Sequence, residues 1–364
     1  MIRSKTYLEP AKLHNGSKIP LKEIVVPSVW IWQMKTGCQR YLLSVCLVAA
    51  LLPISAMPAM PQSSPSRPIT MMVPFPVGGG GDLYGRIFAS RLSEILGQSV
   101  MIENVPGTGG MVGAARVAKA APDGHTMLLA SSGSHAYSQS LYKHPLYNAA
   151  TDFAPIALLA EQPLVLIARK DLPSNDLPSF ISYAQANQSR MQYGSDAGVG
   201  SANHMICFLL NSRIGINVTH VPYRGGALPD LLAGRIDYLC SLVSPNITPH
   251  IATNAVKAIA VLSKNRTPVL PNIPSASEQG LADFEGNTWF AFFMPKGTPA
   301  AIVQRFHSAT LDAMNTPSVQ EKLGKLGAEL VAPERRSPEY LQQFVVSEIE
   351  KWATLIKAAG VTAE

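Results

Sequence analysis

Four short segments of this 364-residue chain gather glycine, hydroxyl and polar side chains where a small ligand could be held. The first is Val77-Gly78-Gly79-Gly80-Gly81-Asp82, which follows an apolar run. Successive glycines let backbone N–H groups approach a ligand, and a helix starting after them favours an anion. Two nucleotide readings fail. A P-loop needs Lys-Ser/Thr after its glycines, whereas this segment continues Asp82-Leu83, and no frame supplies G-x-G-x-x-G. A tight turn capped by Asp82 accounts for the same residues without a ligand.

The second segment, Ser131-Ser132-Gly133-Ser134-His135, also follows an apolar run. Hydroxyl and N–H groups at the carboxyl end of a strand suit a small polar ligand, although N-capping of the next helix explains them equally. The G-x-S-x-G of a serine nucleophile elbow is absent. The third segment runs from Gly194 to His204, with Ser195, Gly198, Gly200, Ser201 and His204 as candidate contacts. His204 could instead be packed or capping. The fourth is Val221-Pro222-Tyr223-Arg224-Gly225-Gly226, where Arg224 could pair with a carboxylate or simply face solvent. No H-e-x-x-H or C-x-x-C spacing suggests a metal site, no catalytic base and nucleophile declare themselves, and no cofactor is implied.

Elements that would position these segments follow from periodicity. Ile69–Val73 reads as a buried strand, and Leu83, Ile87, Phe88, Leu92, Ile95 and Leu96 give one face of a helix ended by Gly97. Strands are expected at Val100–Glu103, Thr126–Ala130, Leu164–Ala168, Met191–Tyr193, Val218–Val221, Tyr238–Ser241, Ala258–Leu262 and Trp289–Met294. Helices are expected at Met111–Ala120, Ser179–Gln188, His204–Leu210, Leu228–Ala233, Pro299–Met314, Ser318–Leu326 and Ser337–Ala359. Alternating strand and helix predicts an α/β protein with parallel strands, and two such sets suggest two lobes.

The formal net charge is +6, a value that invites a nucleic-acid partner. Its distribution argues against one. Residues 1–59 carry seven Lys/Arg and two acids, leaving 23 basic and 22 acidic residues over the remaining chain. The body is nearly neutral, so attraction for an anion must be local. Lys35 and Arg40 precede the apolar run Tyr41–Leu52, Pro53 breaks it, and Ala56 and Ala59 follow. That order is a secretory signal peptide, too short to span a bilayer. Met34 is the expected start, with the preceding residues an upstream extension. Cys207 and Cys240 then remain as an even pair in an oxidising compartment. They form either a disulfide, which is the expectation, or two buried thiols.

Several segments taken in order resemble the receptors of tripartite tricarboxylate transporters, the Bug proteins. They are Ile69-Thr70-Met71-Met72-Val73-Pro74-Phe75-Pro76 with the glycine run, Glu103-Asn104-Val105-Pro106-Gly107-Thr108-Gly109-Gly110, and Ala120-Ala121-Pro122-Asp123-Gly124-His125-Thr126. Asp152-Phe153-Ala154-Pro155, Val221-Pro222-Tyr223-Arg224-Gly225 and Gly234-Arg235-Ile236-Asp237 continue the series. The chain departs from the family pattern between Gly226 and Asp230, about two residues shorter, and before Pro249-His250, about one longer. The resemblance implies a two-lobed periplasmic-binding-protein (Venus flytrap) fold, each lobe a mostly parallel sheet flanked by helices. Lobe one would be 66–166 plus 287–364, and lobe two 167–286. A monomeric periplasmic receptor is implied, one that captures a small carboxylate or amino-acid-like acid between the lobes for the transporter's membrane components. The two glycine loops, Ser131–His135 and His204 are the contacts the resemblance implies, and Tyr223 and Arg224 are added from the fourth segment. A sensor feeding a signalling partner, or a hydrolase using Ser132 or Ser134, are the alternatives.

Overall fold

Strand β1 (Ile69–Val73) is apolar at every position but Thr70 and is buried along most of its length. It is flanked by parallel partners β2 (Val100–Asn104) and β3 (Thr126–Ser131). The computed structural model describes residues 67–358, so the expected signal peptide and the start at Met34 lie outside the described residues. Helix α1 (Gly80–Leu96) connects β1 to β2. It buries Tyr84, Phe88 and Leu92 and stops at Gly97, which takes φ 63°. Helix α2 (Met111–Ala118) connects β2 to β3. A single π-turn, Gly133–Tyr137, and the short α3 (Ser138–Leu141) follow β3.

The alternation then breaks. Strand β4 spans Phe153–Arg169, 17 residues where the periodicity predicted only Leu164–Ala168. Pro155, Glu161, Gln162 and Pro163 hide its first half in the sequence, and register shifts between Pro155 and Ala157 and between Leu158 and Ala160 accommodate the irregularity. The chain continues through α4 (Leu177–Asn187), β5 (Gln192–Ser195), α5 (Ala202–Arg213), β6 (Thr219–Pro222) and α6 (Leu228–Leu232). After these come β7 (Tyr238–Leu242), α7 (Thr248–Ala252), β8 (Val256–Val261) and β9 (Asn287–Pro295). It closes with α8 (Ala300–Met314), α9 (Pro317–Gly324), β10 (Glu329–Leu330) and α10 (Pro338–Ala358).

The strands lie in the order β2-β1-β3-β9-β4-β7-β5-β6, with β8 and β10 also paired to β4. Each end is a parallel α/β set, β2-β1-β3 and β7-β5-β6. Both are joined through antiparallel β9 and β4. The long strand changes partners within itself: Pro163 pairs with Asn287 of β9, and Leu164 pairs with Leu242 of β7. Gln162 sits at that junction, wholly buried. Its amide donates to the Val243 and Leu326 carbonyls and its oxygen accepts from the Tyr84 hydroxyl. A single side chain therefore ties elements from both ends of the sheet, as buried polar groups must find partners. Among the described residues no helix is long and apolar enough to cross a membrane.

Candidate functional site

The β1 and β5 strands end side by side in function if not in sequence: each delivers a glycine loop to the start of a helix. After β1, Gly78 adopts φ 76°, a conformation that favours glycine, and turns the chain back toward α1. Helix α1 has no side-chain cap. Asp82 is wholly buried behind the loop. Its carboxylate accepts from Gly78 N at 2.8 Å, Arg86 Nε at 2.8 Å and Asn104 Nδ2 at 2.9 Å. Burial alone would raise its pKa; the bonds from Arg86, Gly78 and Asn104 outweigh burial and hold the carboxyl below the ordinary 3.8. Asp82 thus shapes the loop from inside.

The loop after β5 is held differently. Ser201 caps α5, accepting from His204 N, and its hydroxyl donates to the Gly198 carbonyl at 2.8 Å. His204 Nδ1 accepts from Gly200 N at 3.2 Å, which puts the ring proton on Nε2. The ring stacks on His220 with centroids 4.0 Å apart, and His220 stacks in turn on Tyr193 at 4.9 Å. Ser195 Oγ lies 2.8 Å from His220 Nε2. Burial lowers His204 to about 3, with His220 adding to the shift, and burial lowers His220 to about 4. Both imidazoles are therefore neutral near pH 7. Cys207 of α5 and Cys240 of β7 are joined by a disulfide with Cα atoms 5.4 Å apart, fixing the helix to the sheet below the loop.

Between the loops lies a cavity of 540 Å³. Phe75, Pro76, Val77 and Gly78 to Gly81 form one wall; Asp196, Ala197, Asn203, Gly225, Gly226 and the segment Ser241–His250 supply most of the other. No lysine or arginine lines it, and Asp196 is its one carboxylate. The Asp196 carboxylate accepts from Ala227 N at 2.8 Å and Asn203 Nδ2 at 3.3 Å. Burial raises its pKa, only partly opposed by Ala227 and Ser241.

Contacts close the cavity at its margins. Gly109 N donates to the Ala197 carbonyl at 3.2 Å, the Tyr142 hydroxyl donates to the Val199 carbonyl at 3.0 Å, and Asn246 Nδ2 donates to the Gly78 carbonyl at 2.6 Å. Gly109 has φ 64° and abuts the Gly200 backbone so closely that a Cβ would overlap it; a Cβ on Gly133 would come within 2.8 Å of the Gly109 carbonyl.

Of the residues expected at the site, Val77, Gly78, Gly79, Gly80 and Gly81 line the cavity, and Asp82 lies behind them. Ser131, Ser132, Ser134 and His135 are buried in the core and do not line it. Their polar groups bond inward: Ser132 Oγ to Thr288 Oγ1 at 2.6 Å, and Ser134 Oγ to the Ser131 backbone and His135 Nδ1. His135 stacks on Phe293, and burial holds it at about 3. Gly133 lies against the Gly109 and Gly200 carbonyls at the margin. Ser195, Gly198, Gly200, Ser201 and His204 build the second loop without facing the cavity. Tyr223 donates to Asp230 at 2.6 Å, and Arg224 is exposed; neither lines the cavity. Asp196, Asn203 and Asn246 also line the cavity and were not among the expected residues. Asp196 had a signal, an acid between Ser195 and Ala197 in a loop otherwise made of small residues. Asn246 had none, because its position depends on how β7 leaves the sheet. Among the described residues no cluster of metal-ligating side chains is present.

A family model described as "Tripartite tricarboxylate transporter family receptor" matches residues 85–361. The periplasmic binding protein BugD is 36% identical and superposes with a TM-score of 0.77, covering 82% of this chain and 100% of BugD. MatC of Rhodopseudomonas palustris, solved with bound malate, is 37% identical with a TM-score of 0.76, covering 80% of this chain and 99% of MatC. An R. palustris protein solved with adipate is 34% identical with a TM-score of 0.76, covering 82% and 99%.

Proposed function

From the premise that the chain belongs to the tripartite tricarboxylate transporter receptor family, we propose that it is a periplasmic receptor that captures a small carboxylate between its lobes. One observation carries the reading. The uncapped N-terminus of a 17-residue helix opens, through a run of glycines, into a cavity shared with a second glycine loop. The first N–H groups of a helix have no intrahelical partners and carry the positive end of its dipole. They hold an anion without a lysine or arginine, which the lining lacks. MatC and its R. palustris relative were solved with malate and adipate, which are small carboxylates.

Capture occurs without turnover: Ser132 and Ser134, the serines a hydrolase would use, are engaged inside the core. The bodies that close are taken as 66–166 plus 287–364 and 167–286, moving about β4 and β9. Export by the N-terminal signal and delivery to membrane components as a monomer complete the proposal. Thermal-shift measurements against mono- and dicarboxylates, amino acids and nicotinate-like acids test it. A ligand at about 100 times its Kd should stabilise the protein by about 2.7 kcal/mol. The absence of any stabilisation at millimolar concentrations overturns the reading.

A further inference from the structure

Asp196 is out of place in a cavity that receives an acid. It is the only acid of the lining, and no lysine or arginine stands beside it there. Among the described ion pairs none involves it. Its two oxygens accept from Ala227 N and from Asn203 Nδ2, with the Ser241 hydroxyl as a further neutral partner. A carboxylate has room for about four, so acceptor capacity remains, and all three partners are neutral. As a residue Asp196 is half-buried, and it lines the cavity. Arg224, which adjoins the lining residue Gly225 in sequence, is exposed and outside the lining.

The opposite wall has the reverse polarity. Gly79, Gly80 and Gly81 bring the start of α1 to the cavity, and Asp82, which could cancel its field, is turned inward onto Arg86, Asn104 and Gly78. One cavity therefore presents a positive helix end on one side and an uncompensated carboxylate on the other. A plain dicarboxylate that seats one acid group on α1 brings its second negative charge toward Asp196. A molecule carrying both a carboxylate and an ammonium group matches both walls.

We propose that Asp196 is a specificity-determining residue that selects ligands bearing an ammonium group in addition to their carboxylate, that is, amino acids over the corresponding deaminated acids. The proposal rests on the carboxylate-receptor reading and narrows its substrate class. The ammonium donates to the free positions on the Asp196 oxygens, and its charge offsets the desolvation that otherwise penalises the ionised carboxylate. Burial raises the pKa of this carboxyl, the direction expected where a counter-charge is missing.

Calorimetric titration at neutral pH with matched pairs tests the assignment: aspartate against succinate, glutamate against glutarate, alanine against propionate. The wild-type protein should bind the amino member of at least one pair about tenfold or more tightly than its partner. Asp196→Asn should abolish that preference by weakening the amino member while leaving the deaminated acid equal or improved. Equal or tighter wild-type binding of the deaminated acids overturns the selector and leaves the carboxylate receptor standing. So does a preference that survives in Asp196→Asn. Failure of every member of every pair to bind overturns the receptor reading, and the selector with it. Should Asp196→Asn not fold, the wild-type preference alone decides.

Discussion

The loops after β1 and β5 share a plan, strand to glycines to helix, yet opposite chemistry anchors them. The first hangs on an ionised carboxylate: Asp82 gathers Gly78, Arg86 and Asn104 and is held below its ordinary pKa. The second hangs on neutral imidazoles, His204 and His220, with a disulfide beneath. Its own aspartate, Asp196, anchors less and faces the cavity with a raised pKa. An aspartate locked by a cation stabilises a loop. An aspartate without one is left for the ligand to complete.

The largest test of this contrast removes the disulfide. Replacing Cys207 and Cys240 by serine opens a link across a sequence separation of 33. It should cost about 3–4 kcal/mol in urea unfolding under the chain-entropy model. Hydrogen exchange should rise around α5 and β7 while the β1 loop stays protected. Uniform loss of protection in both loops would contradict separate anchoring.

Acid should distinguish the loops next. His204 and His220 have folded pKa values near 3 and 4, below the unfolded 6.5. The unfolded chain therefore binds more protons between those values, and stability falls as pH drops from about 6.5 toward 4. The two histidines together contribute up to about 2.8 kcal/mol per pH unit. Asp82, with its pKa depressed below 3.8, supports the first loop until pH falls below that value. Denaturant titrations at stepped pH should show a shallower acid slope in His204→Gln/His220→Asn, and an unchanged slope would remove the imidazoles as anchors.

Asp82→Asn should destabilise by about 2 kcal/mol, because three donors lose an ionised acceptor in a buried place. Ligand affinity should fall as well, since Gly78 loses its tether. Asn246→Ala removes the hydrogen bond from the second wall to the Gly78 carbonyl. A loss of about 1 kcal/mol in unfolding stability is expected, because the bond is present without ligand. Asp196→Asn should change unfolding stability least, within about 0.5 kcal/mol, because asparagine still accepts from Ala227 N and the uncompensated charge disappears. A large destabilisation there would make Asp196 a second Asp82.

Much of the framework is legible in the sequence. β1 appears at Ile69–Val73 as its apolar run predicts, and α8 and α10 begin within a residue of their expected starts. These are long or strongly patterned segments, for which local periodicity suffices. β4 was half-hidden because its first part carries Pro155, Glu161, Gln162 and Pro163, whose roles depend on bulges and on partners far along the chain. At the site, the glycine run facing the cavity was readable because backbone access needs glycine. The inward turn of Asp82, Ser132, Ser134 and His204 was not, since a polar side chain near a loop satisfies the same local pattern whether it faces ligand or core.

The sequence by itself determined the α/β alternation, the two glycine loops at helix starts, the even cysteine pair and a body with almost no net charge. Each of these follows from local periodicity, composition or the conformational demands of glycine. Only the tertiary structure decided which polar groups share the cavity. Asp82 meets Arg86 within one helix, but it meets Asn104 only because β1 and β2 pair in parallel. Asp196 remains without a cation because the turn before α6 offers it a backbone N–H rather than Arg224. Pairing register and chain direction fix those neighbours, and they are sums over contacts distant in sequence that no local pattern encodes.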